Sequence, residues 1–62
     1  MTMTVKQHSL LTAGIEYLRK LSNELRAMAE ESPFKENDAD DLRCVADGLV
    51  EHSDLLEEVL HA

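Results

Sequence analysis

The side chains able to do chemistry in this sequence are few, and most fall at helical spacing. Asp47, Glu51, Asp54 and Glu58 recur at steps of four, three and four. On an α-helix this places all four carboxylates in one column. Like charges so placed cost a helix roughly a few tenths of a kcal/mol each. The column is therefore the best candidate for a working surface. Leu55 and Val50 lie beside it and are expected to be exposed, which adds apolar contacts to an acidic patch. Such a patch suits a basic or amphipathic protein partner. A solvated helix face that keeps a small apolar chain soluble is the plainer reading of the same residues.

The remaining candidates are weaker. His52 sits at the edge of an apolar stripe, where a packed, hydrogen-bonded imidazole is a simpler expectation than a ligand or a pH switch. Glu58 and His61 form one Glu-x-x-His pair, a unit that di-iron bundles use twice with further glutamates. One copy at a chain end does not make a metal site, and no metal or cofactor is expected. Cys44, the only cysteine, points away from the stripe and has no neighbour that obviously lowers its pKa, so it reads as an inert surface thiol. No nucleophile–base pair, glycine-rich phosphate loop or pocket is recognisable, so the chain is not expected to be an enzyme.

These residues must be positioned by very little protein. The chain has 62 residues, enough for one domain, 1–62. A core of this size rarely supplies more than roughly 3–5 kcal/mol, and small chains usually compensate with disulfides, a metal or a partner chain. One cysteine excludes an internal disulfide, so oligomerisation is the expected route. A lone thiol fits a reducing compartment. No stretch approaches the ~20 apolar residues of a membrane span, and Met1–Leu11 does not read as a signal peptide. A cytoplasmic protein without membrane contact is expected. Net charge is −7, and residues 32–62 carry nine acids against Lys35 and Arg43. Non-specific binding to a phosphate backbone is therefore disfavoured.

Pro33, the only proline, disfavours helix at Ser32 and marks a break in the segment Ser32–Asp38. The pattern predicts an all-α hairpin with helices near 5–31 and 39–60. Thr4 and Gln7 have capping-box spacing, with Ser9 as an alternative start. Asn37 or Asp38 is the expected cap of the second helix, with Asp40 and Asp41 in its first turn. Leu11, Ile15, Leu18, Ser22, Leu25 and Ala29 follow a heptad stripe, as do Leu42, Ala46, Leu49, Ser53, Leu56 and Leu60. Folding the chain back so that facing numbers add to 71 brings Ala29 to Leu42, Leu25 to Ala46, Ser22 to Leu49 and Leu18 to Ser53. Each of these layers joins a small residue to a large one. The buried serines are expected to bond the carbonyls of Leu18 and Leu49, one turn back. Leu21 and Met28 flank the first stripe; Val45, His52 and Val59 flank the second. A stripe this wide suits two neighbours per helix, so the hairpin is expected to form a homodimeric four-helix bundle.

The layered hairpin resembles Rop, the RNA-binding copy-number regulator of some plasmids. The likeness rests mainly on Asp38-Ala39-Asp40-Asp41 and on the spacing of Leu49, His52, Asp54 and Leu56. It implies a hairpin dimer and, as an alternative function, RNA binding through Lys6, Tyr17, Arg19 and Lys20 of the first helix. Ala13, Leu21 and Met28 stand where that activity wants polar or basic side chains. Leu21-Ser22-Asn23-Glu24-Leu25 is similar to the core motif of the Spo0E-like phosphatases, with Arg26 where their motif ends in aspartate. In size and acidity the chain also looks like small early proteins of temperate phages, which implies action on host machinery. The expectation that follows is a non-enzymatic regulatory or accessory protein. It would bind an unidentified protein partner through Asp47, Glu51, Asp54, Leu55 and Glu58.

Overall fold

The computed structural model describes residues 2–31 and 34–62. Two helices, α1 (Val5–Ala29) and α2 (Glu36–Leu60), pack side by side as an antiparallel hairpin. The helix rod is 48 Å long and 14 × 10 Å across its backbone.

The start of α1 follows the predicted capping box. The Gln7 N–H donates to Thr4 Oγ1 at 3.1 Å, and the Thr4 N–H donates to the Gln7 side chain at 2.9 Å. Two of the four free N–H groups of the first turn are satisfied this way. The other predicted ends need correction. α1 stops at Ala29 instead of residue 31, because its last turn tightens. The Glu30 N–H reaches back three residues to Ala27 at 3.2 Å, and the Glu31 N–H reaches Met28 at 3.0 Å. α2 begins at Glu36, three residues before the expected start, with Lys35 rather than Asn37 or Asp38 as its cap. Lys35 offers no side-chain acceptor. Its carbonyl takes the first helical bond, from the Ala39 N–H at 2.9 Å. The acids of the first turn are accordingly Glu36 and Asp38, not Asp40 and Asp41, and they meet the positive end of the helix dipole. Ser32 and Pro33, on which the predicted turn rested, lie outside the described residues.

The helices meet along the two predicted stripes. Gly14 faces Leu56, Arg19 reaches Ser53 and Arg26 reaches Asp47, but Ser22, expected opposite Leu49, meets Ala46, so the predicted small-against-large pairing fails at this layer. Small residues sit deepest: Ser22, Ala29, Ala39, Ala46 and Ser53 are buried, together with Ile15. Small side chains let the backbones approach, and the leucines opposite wrap around the contact. Leu11, Leu18, Leu25, Leu42, Leu49, Leu56 and Leu60 are consequently only half-buried. Ala39 was not expected in the core. Expected as the first residue of the second helix, it lies a turn inside α2 now that the helix starts at Glu36, and its side chain is buried.

Both serines are buried as predicted, but their hydroxyls bond elsewhere. Ser22 Oγ donates across the hairpin to the Ala46 carbonyl at 2.8 Å instead of back to Leu18. Ser53 Oγ donates to the Val50 carbonyl at 2.7 Å, one residue short of Leu49, and accepts from Arg19 Nε at 3.2 Å. The close approach at Ala46 puts a carbonyl of the other helix within reach, and Ser22 takes it. Among the described residues no buried side-chain polar atom lacks a partner. This geometry reverses the sign a simple small-for-polar exchange would have. Ser22→Ala is expected to lower stability by about 1 kcal/mol through loss of the interhelical bond. Ser53→Ala should change it less, because Arg19 keeps its two carboxylates. Urea denaturation followed by circular dichroism checks both; equal effects from the two alanines would refute the assignment.

Candidate functional surfaces

The hairpin has two unlike faces, and the flanks of the stripes decide which is which. One face carries a strap of interhelical ion pairs. The Arg19 guanidinium contacts Asp54 at 3.3 Å and Glu57 more closely, while its Nε holds the buried Ser53 hydroxyl. Two turns nearer the hairpin bend, Arg26 pairs with Asp47. The Glu57 hydrogen bond raises the Arg19 pKa above the ordinary guanidinium value; desolvation opposes the rise, and the charges of Glu57 and Asp54 add to it. Stability from a raised cationic pKa is fully present below the unfolded value and disappears only as pH climbs through the folded one. Arg19 therefore stays charged and engaged at any ordinary pH. Exposed pairs of this kind contribute little net energy. Their consequence is chemical: they keep this face polar and wet.

The opposite face is apolar and open. Val45 is 55% exposed and Val59 52%. Met28 and His52 are exposed as well, and Leu21 is half-buried. These are the five flanking residues assigned by sequence to a bundle interior. Within one hairpin they are not interior. Leu10 and Tyr17 extend the same face along α1. Near the bend, Phe34, Leu42 and Val45 line an apolar notch rimmed by Asp38 and Asp41. Sequence reasoning missed Phe34, because it was read only as part of the turn.

The predicted acidic column does not survive as four free carboxylates. Asp47 and Asp54 are held by Arg26 and Arg19. Glu51 and Glu58 remain exposed without an ion-pair partner among the described residues, with Leu55 57% exposed between them. Val50, expected beside the column on the surface, is half-buried instead. The signal that could have revealed the pairing was present: Arg19 and Arg26 are seven apart, as are Asp47 and Asp54, and the fold-back register brings each arginine to its acid.

The predicted RNA-binding group keeps three of its four residues exposed on α1 and outside the ion-pair strap. Lys6, Tyr17 and Lys20 are exposed, whereas Arg19 is committed to α2. The segment Leu21–Leu25 lies partly inside the helix–helix contact, with Ser22 fully buried, so it presents no intact motif to solvent. Cys44 is exposed, as its heptad position predicts. His61 Nε2 lies 4.0 Å from Glu57, not beside Glu58. No group of three potential metal ligands gathers among the described residues. No described helix is long and apolar enough to cross a membrane. No known protein family, curated protein or solved structure matches the chain.

Proposed function

We propose that two copies of the hairpin associate through the apolar face into a Rop-like four-helix bundle. The assembly then acts as a small non-enzymatic regulatory or accessory protein. It binds a partner protein through the outer face of α2. One observation carries the dimer: the largest side chains fully buried in the hairpin are Ser22 and Ser53. Among the described residues no valine, leucine, methionine or aromatic side chain is completely withdrawn from water. A single hairpin therefore leaves most of its hydrophobic driving force unused, while Val45, Val59, Met28 and Leu21 line up on one face.

The partner surface lies on the other side of α2. Glu51, Leu55 and Glu58 form its exposed part, and Asp47 and Asp54, half-neutralised by arginine, form its border. An exposed leucine between two carboxylates with no cation to hold them suits a basic, partly apolar partner segment. The test is capture from a cell lysate by wild type and by a Glu51→Lys, Leu55→Ser, Glu58→Lys variant. The variant is expected to lose the proteins that wild type retains. Identical capture by both would place the working surface elsewhere. RNA binding through Lys6, Tyr17 and Lys20 is the alternative, and a gel shift with paired RNA hairpins at low salt decides it.

A further inference from the structure

We infer that the partner is a basic amphipathic helix lying lengthwise along one flank of α2, with one apolar side chain seated in the notch near the bend and a second against Leu55; this rests on the partner surface proposed above. Three features of that flank point to such a helix.

The first is charge. The one lysine or arginine in α2 is Arg43, and it pairs with Asp40 at 3.1 Å. The arginines of α1 hold Asp47, Asp54 and Glu57. Asp38, Asp41, Glu51 and Glu58 are exposed and have no ion-pair partner among the described residues. By helical position these four lie on the flank turned away from the strap. Unmatched carboxylates repel nucleic acid and anionic lipid alike, and they select a cationic partner. A second copy of a chain at net charge −7 matches them poorly.

The second is the spacing of two apolar spots. The notch of Phe34, Leu42 and Val45 holds about 290 Å³ and has Asp38 and Asp41 at its rim. That is just below the roughly 300–1,000 Å³ of a small-molecule pocket. It suits one large side chain of a docking segment better than a free ligand. The other spot is exposed Leu55, with Glu51 one turn before it and Glu58 one turn after. The notch centres near Asp41. Asp41, Gly48 and Leu55 follow one another at steps of seven, so they fall almost in line along α2. Fourteen residues of helix put the two spots about 21 Å apart. A partner helix with apolar anchors fourteen residues apart, and cations beside each, repeats that pattern in complement.

The third is Gly48, midway between the spots. No atom lies within 4 Å of the place its Cβ would take, so the packing of the hairpin does not call for a glycine there. Gly14, by contrast, faces Leu56 of the other helix. Glycine is among the least favourable residues inside a helix. Its use here lets a partner backbone come close between the two anchors. Val45 borders the dimer seam proposed above, whereas Asp41, Gly48 and Leu55 lie one column further round α2 and outside it.

The experiment titrates the isotope-labelled full chain, followed by amide resonances, with a synthetic helical peptide. The peptide carries two phenylalanines fourteen residues apart, each flanked by lysines. A control peptide of the same composition has them seven apart. The expected result is a run of shifted amides from Asp38 through Gly48 to Glu58, and roughly tenfold tighter binding of the fourteen-spaced peptide, which seats both anchors. Gly48→Ala separates close helix docking from charge attraction alone. It should raise the melting midpoint of the protein by itself by about 5 °C and weaken the fourteen-spaced peptide several-fold. Equal affinity for the two peptides, or an affinity that Gly48→Ala leaves unchanged, overturns the docked helix. Shifts confined to Glu51, Leu55 and Glu58 also overturn it but leave the partner surface standing; no shift anywhere in α2 removes both. If the Asp41, Gly48 and Leu55 amides move when the protein alone is concentrated, a second copy covers the flank, and the helix of a partner does not.

Discussion

Replacing Ser22 and Ser53 together by leucine is expected to destroy the present helix packing. Both positions are fully buried; Ser22 lies against the carbonyl of Ala46 on the facing helix, and Ser53 against the Arg19 side chain. Leucine is larger than serine by two heavy atoms, and its branch would have to occupy space already held by the facing helix. Overpacking a well-filled site typically costs 1–3 kcal/mol, so the pair costs on the order of 2–6 kcal/mol. A chain this small holds only about 3–5 kcal/mol. The change also removes the interhelical hydrogen bond of Ser22 and the hydroxyl that accepts from Arg19. The variant should lose its cooperative urea transition, or recover one only in a different assembly with an altered denaturant slope. Circular dichroism at several urea concentrations, with sedimentation, distinguishes these. A transition with unchanged midpoint and slope would show that the serines are not where the helices meet.

The serines also show how much of this molecule could be read from its sequence. Their burial followed from the heptad positions, because the pattern that places leucines also fixes what stands between them. The Thr4–Gln7 cap was legible for a similar reason: it is local, and both partners lie within one turn. The hydroxyl partners were not legible. A bond from Ser22 to Ala46 depends on how near the second helix comes, and no single-helix rule contains that distance. The start of α2 failed in the opposite direction. Asn37 and Asp38 are strong caps by propensity, but Lys35 takes the role and the helix gains a turn, which buries Ala39. The acidic column was read correctly as a column and incorrectly as free, since half of it answers arginines on another helix. Long-range pairing, rather than residue type, separates what was read from what was not.

Val45→Glu with Val59→Glu is expected to dissociate the bundle and to unfold most of the chain at concentrations where the wild type is folded. In the isolated hairpin both valines are more than half exposed, so glutamate there meets water and should change stability by no more than about 0.5 kcal/mol. In the proposed dimer the same positions would lie in the seam. Each valine is already about half buried in the hairpin, so docking gains roughly 0.8 kcal/mol or more per valine, and four valines are lost per dimer. A loss of about 3 kcal/mol raises the dissociation constant by roughly two powers of ten. Each copy also gains two negative charges on a chain already at −7, so repulsion acts in the same direction. Folding should follow association, because among the described residues the separated hairpin buries only Ile15, three alanines and two serines. The measurement is a thermal scan of both proteins over a hundredfold range of concentration. The wild-type midpoint must rise with concentration if the folded state is a dimer, whereas the variant should show a weak, broad transition that does not move. If both proteins instead melt at one temperature, independent of concentration, the hairpin is stable alone, and its apolar face is free for a different partner.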